Sequence, residues 1–357
     1  MRLSSVEVIP YALPFKEPYV TARGVLRRRE MVLLRVRDAD GVVGLGEAVP
    51  LALRGGVSLA EVVRELDGWG EHGEAQGLSA PARCAVETAL MDLRGRRIGD
   101  GLGEGKRDET VECNATLVAG PAAEVAAEAE RWAEGGFTTF KLKLGAESAK
   151  TRVQQGFSRT READVEQVRA VRAALGSEVR IRVDANEAWD LETAKATLAE
   201  LEPFGVELAE QPVAGLEAMA ALAASTSIPL AADESVASLD EAEEAVALGA
   251  CAYTGIKFSK VGGPAEALAI ADVLPAYVTS ALDGPVGIAA AAQVALSLAE
   301  TTHPERLHLA HGLATQRLFA ETIAAVECEL RDGMLHLPPG PGLGIEIDEE
   351  ALHAHRI

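Results

Sequence analysis

The sequence predicts an α/β chain: a TIM-type (β/α)7β barrel behind an N-terminal α+β capping domain, which the C-terminal segment completes. Three observations predict it. From about residue 110, short apolar runs alternate with Ala/Glu-rich amphipathic stretches at a near-constant interval, the pattern of parallel βαβ units. Eight strand-like runs occur, the number that closes a barrel rather than an open sheet. The 357 residues are 48% hydrophobic, enough for a barrel with an added lobe.

Residues 1–108 are expected to form the capping domain. "SSVEVIPYALPF" and "REMVLLRVRDADGVVGLGEAVP" have strand character, and "DADG" is a hairpin signal between apolar runs. "SLAEVVRELDGWGEHG" and "APARCAVETALMDLRGRRIG" space their apolar residues as helices do. Ser58 followed by Glu61 reads as a capping box. Residues 109–320 are expected to form the barrel, with strands at 111–117, 138–143, 179–184, 206–210, 228–232, 253–257, 276–280 and 307–310. Helices are expected over 121–134, 162–175, 191–201, 215–225, 239–248 and 264–273. A doubly wound sheet would want a Gly-rich phosphate turn after its first strand, and "NATLVAGP" is not one. Asp184 follows Lys143 by 41 residues, against later steps of 26, 23 and 24 to Glu210, Asp233 and Lys257. The excess predicts an enlarged loop or helix extension at 146–164. Residues 321–357 carry a Pro/Gly turn and a last strand-like run, expected to pack back on the capping domain.

Charge and cysteine usage narrow the function classes. Lys and Arg number 34 against 55 Asp and Glu, a net charge of −21. That disfavours a nucleic-acid backbone or an anionic membrane as partner. The cysteines Cys84, Cys113, Cys251 and Cys328 form no metal or disulfide spacing. No signal-peptide core or 18-residue apolar run is present, so a soluble, cytoplasmic protein is expected. The expected partner is a small-molecule carboxylate, and a homo-oligomer is left open. The histidines show no metal spacing.

Barrel active sites lie at the carboxyl ends of the strands. Read there, the second strand ends in Lys141 and Lys143, the third in Asp184 and Asn186, and the fourth in Glu210. The fifth ends in Asp233, the sixth in Lys257 and Lys260, and the seventh in "TSALDGPVG". Three carboxylates at the same end of three consecutive strands would repel and raise one another's pKa. A hard divalent cation resolves the repulsion, and few carboxylates with water and substrate oxygens suit Mg2+, with Mn2+ as a substitute. Any one of them alone would read as solvated or ion-paired. Repetition in phase with the barrel is what points to a metal.

Lys141 and Lys143 are two apart on a strand and face one side of it. One reading is that they neutralise the acidic cluster. That explains positive charge but not the residue type, because the chain has 26 Arg and only 8 Lys. The pKa of lysine falls readily near other cations or out of water. Lys143 is therefore the expected base near neutral pH, Lys141 its electrostatic helper, and Lys257 the group that meets a developing anion from the opposite side. The implied chemistry is proton abstraction next to a carboxylate. For substrate contacts the candidates are Asn186, Thr279, Ser280, Arg182 and Arg23. Thr279 and Ser280 could donate to a carboxylate or merely cap a strand end. Arg182 shares a side with Asp184 but has a buried ion pair as its competing account. Arg23 lies on an expected lid of the capping domain. Glu47 in "GLGEAVP" reads as structural at the junction of the domains.

In this order, "KLK", "RVDANEAW", "ELAEQPV", "PLAADES" and "GIKFSKVGG" resemble the muconate-lactonising subgroup of the enolase superfamily, over essentially the whole chain. The resemblance implies Mg2+ on Asp184, Glu210 and Asp233, with Lys143 as base, Lys257 opposing it and Lys141 helping. Within the subgroup, "TARGVLRRREMVLLRVRDADGVVGLGEAVPL", "TSALDGPVGIAAAAQ" and "HGLATQRLFAET" are most similar to o-succinylbenzoate synthases. That likeness implies a hydro-lyase of menaquinone biosynthesis, dehydrating a succinyl-hydroxycyclohexadiene carboxylate. The alternatives are a dipeptide epimerase, an N-succinylamino-acid racemase or a muconate-type cycloisomerase. Dipeptide epimerases typically carry an Asp-x-Asp pair near the eighth strand. Here His311-Gly312-Leu313-Ala314-Thr315 has no carboxylate. "ALDGP" and the long 146–164 stretch depart from the synthase pattern.

Overall fold

A computed structural model describes residues 3–21, 24–52, 55–73, 77–99, 109–118, 120–145, 160–299 and 309–357. Strands β1 (Leu3–Thr21) and β2 (Gly24–Asp38) pair antiparallel along their length, and β3 (Val43–Ala48) pairs with β2 after the "DADG" turn. Helices α1 (Leu59–His72) and α2 (Ala80–Ile98) cover one face of this sheet. Val32, Leu34 and Val36 alternate along β2 and meet Val62, Leu66, Ala85, Ala89 and Leu93 in one buried cluster. The period of two on the strand and of three to four on the helices brings these apolar faces together. Ser58 and Glu61 form the expected capping box: Ser58 N donates to Glu61 Oε2 at 2.7 Å and Glu61 N to Ser58 Oγ at 3.3 Å.

The barrel follows. Its parallel strands are β5 (Ala115–Leu117), β6 (Thr139–Lys143), β7 (Arg180–Asp184), β8 (Val206–Glu210), β9 (Leu230–Ala232), β10 (Tyr253–Ile256) and β11 (Ala276–Val278), each hydrogen-bonded to the next. The outer helices are α3 (Ala122–Glu134), α4 (Arg161–Leu175), α5 (Leu191–Leu201), α6 (Leu216–Ala223), α7 (Leu239–Leu248), the short α8 (Phe258–Val261), α9 (Pro264–Val273) and α10 (Pro285–Ala299). Outward-facing Phe140, Leu142, Ile181 and Val183 join these helices in the main core.

Two boundaries differ from the sequence reading. The run 111–117 is not one strand. Its first part forms β4 (Thr110–Glu112), antiparallel to β14 (Met334–His336), and only β5 enters the barrel. The closing stretch pairs at His311 and Gly312; of the strand expected at 307–310, residues 307 and 308 lie outside the described residues and 309–310 form no strand. Cys113 bridges His311 and Thr279 bridges Gly312, so this short stretch joins the first and last strands. Residues 146–159, most of the enlarged segment, and Arg23 lie outside the described residues.

The C-terminal chain touches both parts. β13 (Glu329–Arg331) pairs with β14, and β12 (Ala324–Val326) with β15 (Glu346–Ile347). Helix α11 (Glu349–His355) lies against β1, where Ile357 N donates to Pro10 O at 3.2 Å. Among the described residues, no helix is long and apolar enough to cross a membrane.

Candidate active site

The barrel register places the predicted residues in one layer. Lys143 pairs with Asp184, Asp184 with Glu210, and Glu210 with Ala231, two residues before Asp233. Alternation along β6 turns Phe140 and Leu142 to the helices and Lys141 and Lys143 to the inside. Asp184, Glu210 and Asp233 are 0, 1 and 0% exposed. Burial of three carboxylates is tenable only with compensating cations, and the lysines supply them.

Lys141 Nζ donates to both oxygens of Glu210 at 3.0 Å and lies 3.3 Å from Asp184 Oδ2. Lys143 Nζ is bonded to Asp184 Oδ2 and donates to Asn186 Oδ1 at 3.0 Å. Lys257 Nζ is bonded to Asp233 Oδ2. Lys260 Nζ is bonded to Asp233 O and lies 3.1 Å from its Oδ1. Tyr277 Oη donates to Glu210 Oε2 at 2.5 Å.

These contacts set the charges. Burial pulls Lys141 down, but Glu210 and then Asp184 outweigh it, so Lys141 holds its proton as a fixed cation. Burial pushes Asp184 up, yet Lys143 and Lys141 hold it well below the usual carboxylate range. Glu210 stays raised, by burial and then by Asp184 beside it.

The donor set is oxygen-only and anionic, from three neighbouring strand ends, which fits a hard cation. Among the described residues no three such side chains stand closed around a common point. The ammonium groups of Lys143 and Lys257 lie on the inner oxygens instead. Both are long side chains that can turn away without moving a strand.

The remaining candidates separate. Asn186, at φ 47°, bridges Lys143 and Glu234, with Nδ2 donating to Glu234 Oε1 at 3.1 Å. Thr279 is 5% exposed and lies at the closing seam, its N donating to Ile256 O at 2.8 Å. Ser280 is not available as a substrate donor. Its hydroxyl donates to Asp283 Oδ2 at 2.7 Å and accepts from the N–H groups of Leu282 and Asp283, both at 2.9 Å. Arg182 is also no substrate contact. It is 0% exposed, one layer below Asp184, paired with Glu207 and donating to Ala310 O at 2.7 Å, with its guanidinium 5.1 Å from the centre of the Tyr277 ring.

Two positioning residues escaped the sequence reading. Buried Asp164 accepts the N–H of Gly145 at 3.0 Å and pins the end of β6. Gln211, at φ 37°, spans two strand ends: its Oε1 accepts from Asp233 N at 2.8 Å and Ser235 N at 3.1 Å. The only signal for Gln211 was its place directly after Glu210.

At the domain junction, buried Glu47 accepts Tyr11 Oη at 2.8 Å and the N–H groups of Gly284, at 2.6 Å, and Gly287 at the start of α10. Burial, then the nearby Asp283, pushes Glu47 up to about 7 from 4.5. A raised acid binds its proton more tightly in the folded chain. Its contribution to stability is present below pH 4.5 and is lost as pH rises through about 7, a fall of about 3 kcal/mol. Urea unfolding from pH 5 to 8 is expected to show this fall in the wild type and not in Glu47→Gln. Parallel stability curves for the two would refute it.

Residues 124–351 match the enolase C-terminal domain-like family, well over half of the chain. The chain belongs to the enolase superfamily. It is similar to muconate cycloisomerase 1 of Pseudomonas putida, at 29% identity over 97% of this chain and 96% of that one. Its fold superposes on the muconate lactonizing enzyme of Pseudomonas fluorescens in complex with muconolactone, with a TM-score of 0.87, 29% identity and coverage of 100% and 99%. The dipeptide epimerase of Enterococcus faecalis V583, in complex with Mg and the dipeptide L-Leu-L-Tyr, follows at TM-score 0.86, 25% identity and coverage of 97% and 100%. The likeness confirms the barrel-plus-cap fold of an enolase-superfamily chain.

These relatives overturn the o-succinylbenzoate synthase assignment, with its hydro-lyase activity and menaquinone pathway, because the activities they carry are others. "TSALDG", within one of the three segments that suggested that assignment, makes structural contacts: Ser280 with Asp283, and Gly284 with Glu47.

Proposed function

We propose that this enolase-superfamily chain is a two-base epimerase or racemase, acting on a carboxylate whose α-carbon bears an acylated nitrogen. One observation carries the reading. Lys143 and Lys257 flank the carboxylates from β6 and from the end of β10, four strands apart in the sheet order. Inversion at carbon needs a base on each face, whereas elimination or ring closure needs one. In this reading one ammonium nitrogen, deprotonated, takes the α-proton and the other lysine returns a proton from the opposite face. Lys141 stays charged and adds fixed positive potential beside Lys143. Asn186 orients Lys143 through its 3.0 Å contact. Asp184, Glu210 and Asp233 would hold Mg2+, which supplies positive charge where the substrate carboxylate gains electron density. The missing carboxylate at 311–315 counts against a substrate with a free ammonium and favours an N-acylated amino acid such as an N-succinylamino acid.

A second reading, cycloisomerisation of an unsaturated dicarboxylate, is favoured by the 29% identity to muconate cycloisomerase 1 over nearly the full chain. The test is solvent exchange in D2O with each enantiomer of N-succinylphenylalanine and with L-Leu-L-Tyr. Deuterium at the α-carbon with inversion, abolished by EDTA, is expected for N-succinylphenylalanine. Consumption of cis,cis-muconate with no exchange in either amino-acid substrate would transfer the assignment to the cycloisomerases.

A further inference from the structure

Lys257 and Lys260 share one short helical turn. Lys257 caps α8 at its start, with Lys260 N and Val261 N donating to Lys257 O at 2.9 and 3.0 Å. The turn ends in Gly262 and Gly263, at φ +100° and +126°. The carbonyls at that end do not face solvent. Arg83, on α2 of the capping domain, donates from Nη2 to Val261 O at 2.8 Å and from Nε to Gly262 O at 3.3 Å. A cation on the terminal carbonyls of a helical turn, which have no partner within the turn, satisfies them and opposes their partial negative charge. The fit is close. A Cβ on Gly262 would stand 2.1 Å from Arg83 Nη2, and one on Gly263 would stand 2.6 Å from Glu87 Oε2. Glu87, one turn further along α2, accepts Ala265 N at 3.2 Å and so holds the start of α9.

We infer that Arg83 is a positioning residue of the active site, acting through α8 to set Lys257 and Lys260 against Asp233. The capping domain then fixes the lysine on one side of the site and leaves Lys143, which is anchored within the barrel by Asp184 and Asn186. The effect of losing Arg83 is therefore one-sided. The functional part of this statement rests on the two-base reading above.

The test compares wild type, Arg83→Met, Arg83→Lys and Glu87→Gln, the last removing charge from the same interface while keeping the Arg83 hydrogen bonds to Val261 O and Gly262 O. Amine acetylation followed by peptide mass spectrometry reads the lysines directly. Arg83→Met is expected to raise the labelling rate of Lys257 at least about fivefold, with Lys141 and Lys143 changed less than twofold. Arg83→Lys is expected to recover part of the difference, and Glu87→Gln to leave the lysines as in wild type. In α-proton exchange, Arg83→Met is expected to lose at least about tenfold on the enantiomer served by Lys257 and less than twofold on the other. Labelling that rises equally at Lys141, Lys143 and Lys257, or at none, overturns the inference. If wild type exchanges neither enantiomer, the two-base reading falls, and the labelling pattern alone decides the role of Arg83.

Discussion

Lys143→Ala and Lys257→Ala are each expected to lower inversion by roughly 10³-fold, the range lost when a general acid–base group is removed. They are expected to differ in which enantiomer still exchanges. With Lys257 gone, Lys143 can still remove and return a proton on its own face, so one enantiomer gains deuterium without inverting. With Lys143 gone, the other enantiomer does. Proton NMR in D2O measures both rates. Equal loss on both enantiomers in both variants would sink the two-base scheme. Folding is expected to survive either change, because each buried carboxylate keeps a second cation. Asp184 retains Lys141 at 3.3 Å and Asp233 retains Lys260 at 3.1 Å. Lys141→Ala is the contrast. Among its described contacts Glu210 would keep Tyr277 but lose its bidentate cation, and an uncompensated buried charge costs about 3–5 kcal/mol. The stability order across the three variants thus reports on charge pairing, and the exchange pattern reports on chemistry.

The in-phase strand ends were legible because barrel geometry converts a sequence interval into a ring of neighbours. Lys141, Lys143, Asp184, Glu210, Asp233 and Lys257 needed only the strand period and the strand ends. Depth was not legible. Arg182 and Asp184 share a face and lie two residues apart, yet Asp184 meets the lysines of the mouth while Arg182 is sealed over Tyr277. Nor could the sequence tell how a polar side chain at a strand end is satisfied. Ser280 fulfils its one donor and two acceptor sites within its own turn, and that depends on the path of residues 281–283. Asp164 and Gln211 act through backbone N–H groups of other strands. A contact of that kind leaves no periodic trace. The lobe–barrel contacts of Glu47 and Arg83 bridge residues up to 237 apart, a separation over which pattern reading has no purchase.

The capping domain itself depends on a contact that strand patterning hides, and Gly46→Ala is expected to break it. β3 carries glycine at positions 44 and 46. Both face α2, whose small residues Ala82, Ala85 and Ala89 are all 0% exposed. A Cβ at position 46 would stand 1.9 Å from Ala85 O and 2.9 Å from Ala89 N. These are backbone atoms of a helix, not the movable end of a side chain. The backbone at Gly46 is ordinary strand, so the obstacle is contact alone, and the helix must lift by more than an ångström. Overpacking of this kind costs up to about 3 kcal/mol, occasionally more. Here the upper end is expected, because lifting α2 also opens the cluster of Val32, Leu34, Val36 and Leu93 beneath it. A fall in Tm of about 4 °C follows from a loss of that size in a chain of 357 residues. Arg83 rides on the same helix, so the shift is expected to reach α8 as well, raising acetylation of Lys257 above that of Lys143. A Gly46→Ala protein within about 1 kcal/mol of wild type would show that α2 and β3 are not held at the spacing described. A destabilised protein with unchanged lysine labelling would show instead that the helix can shift without carrying the α8 turn.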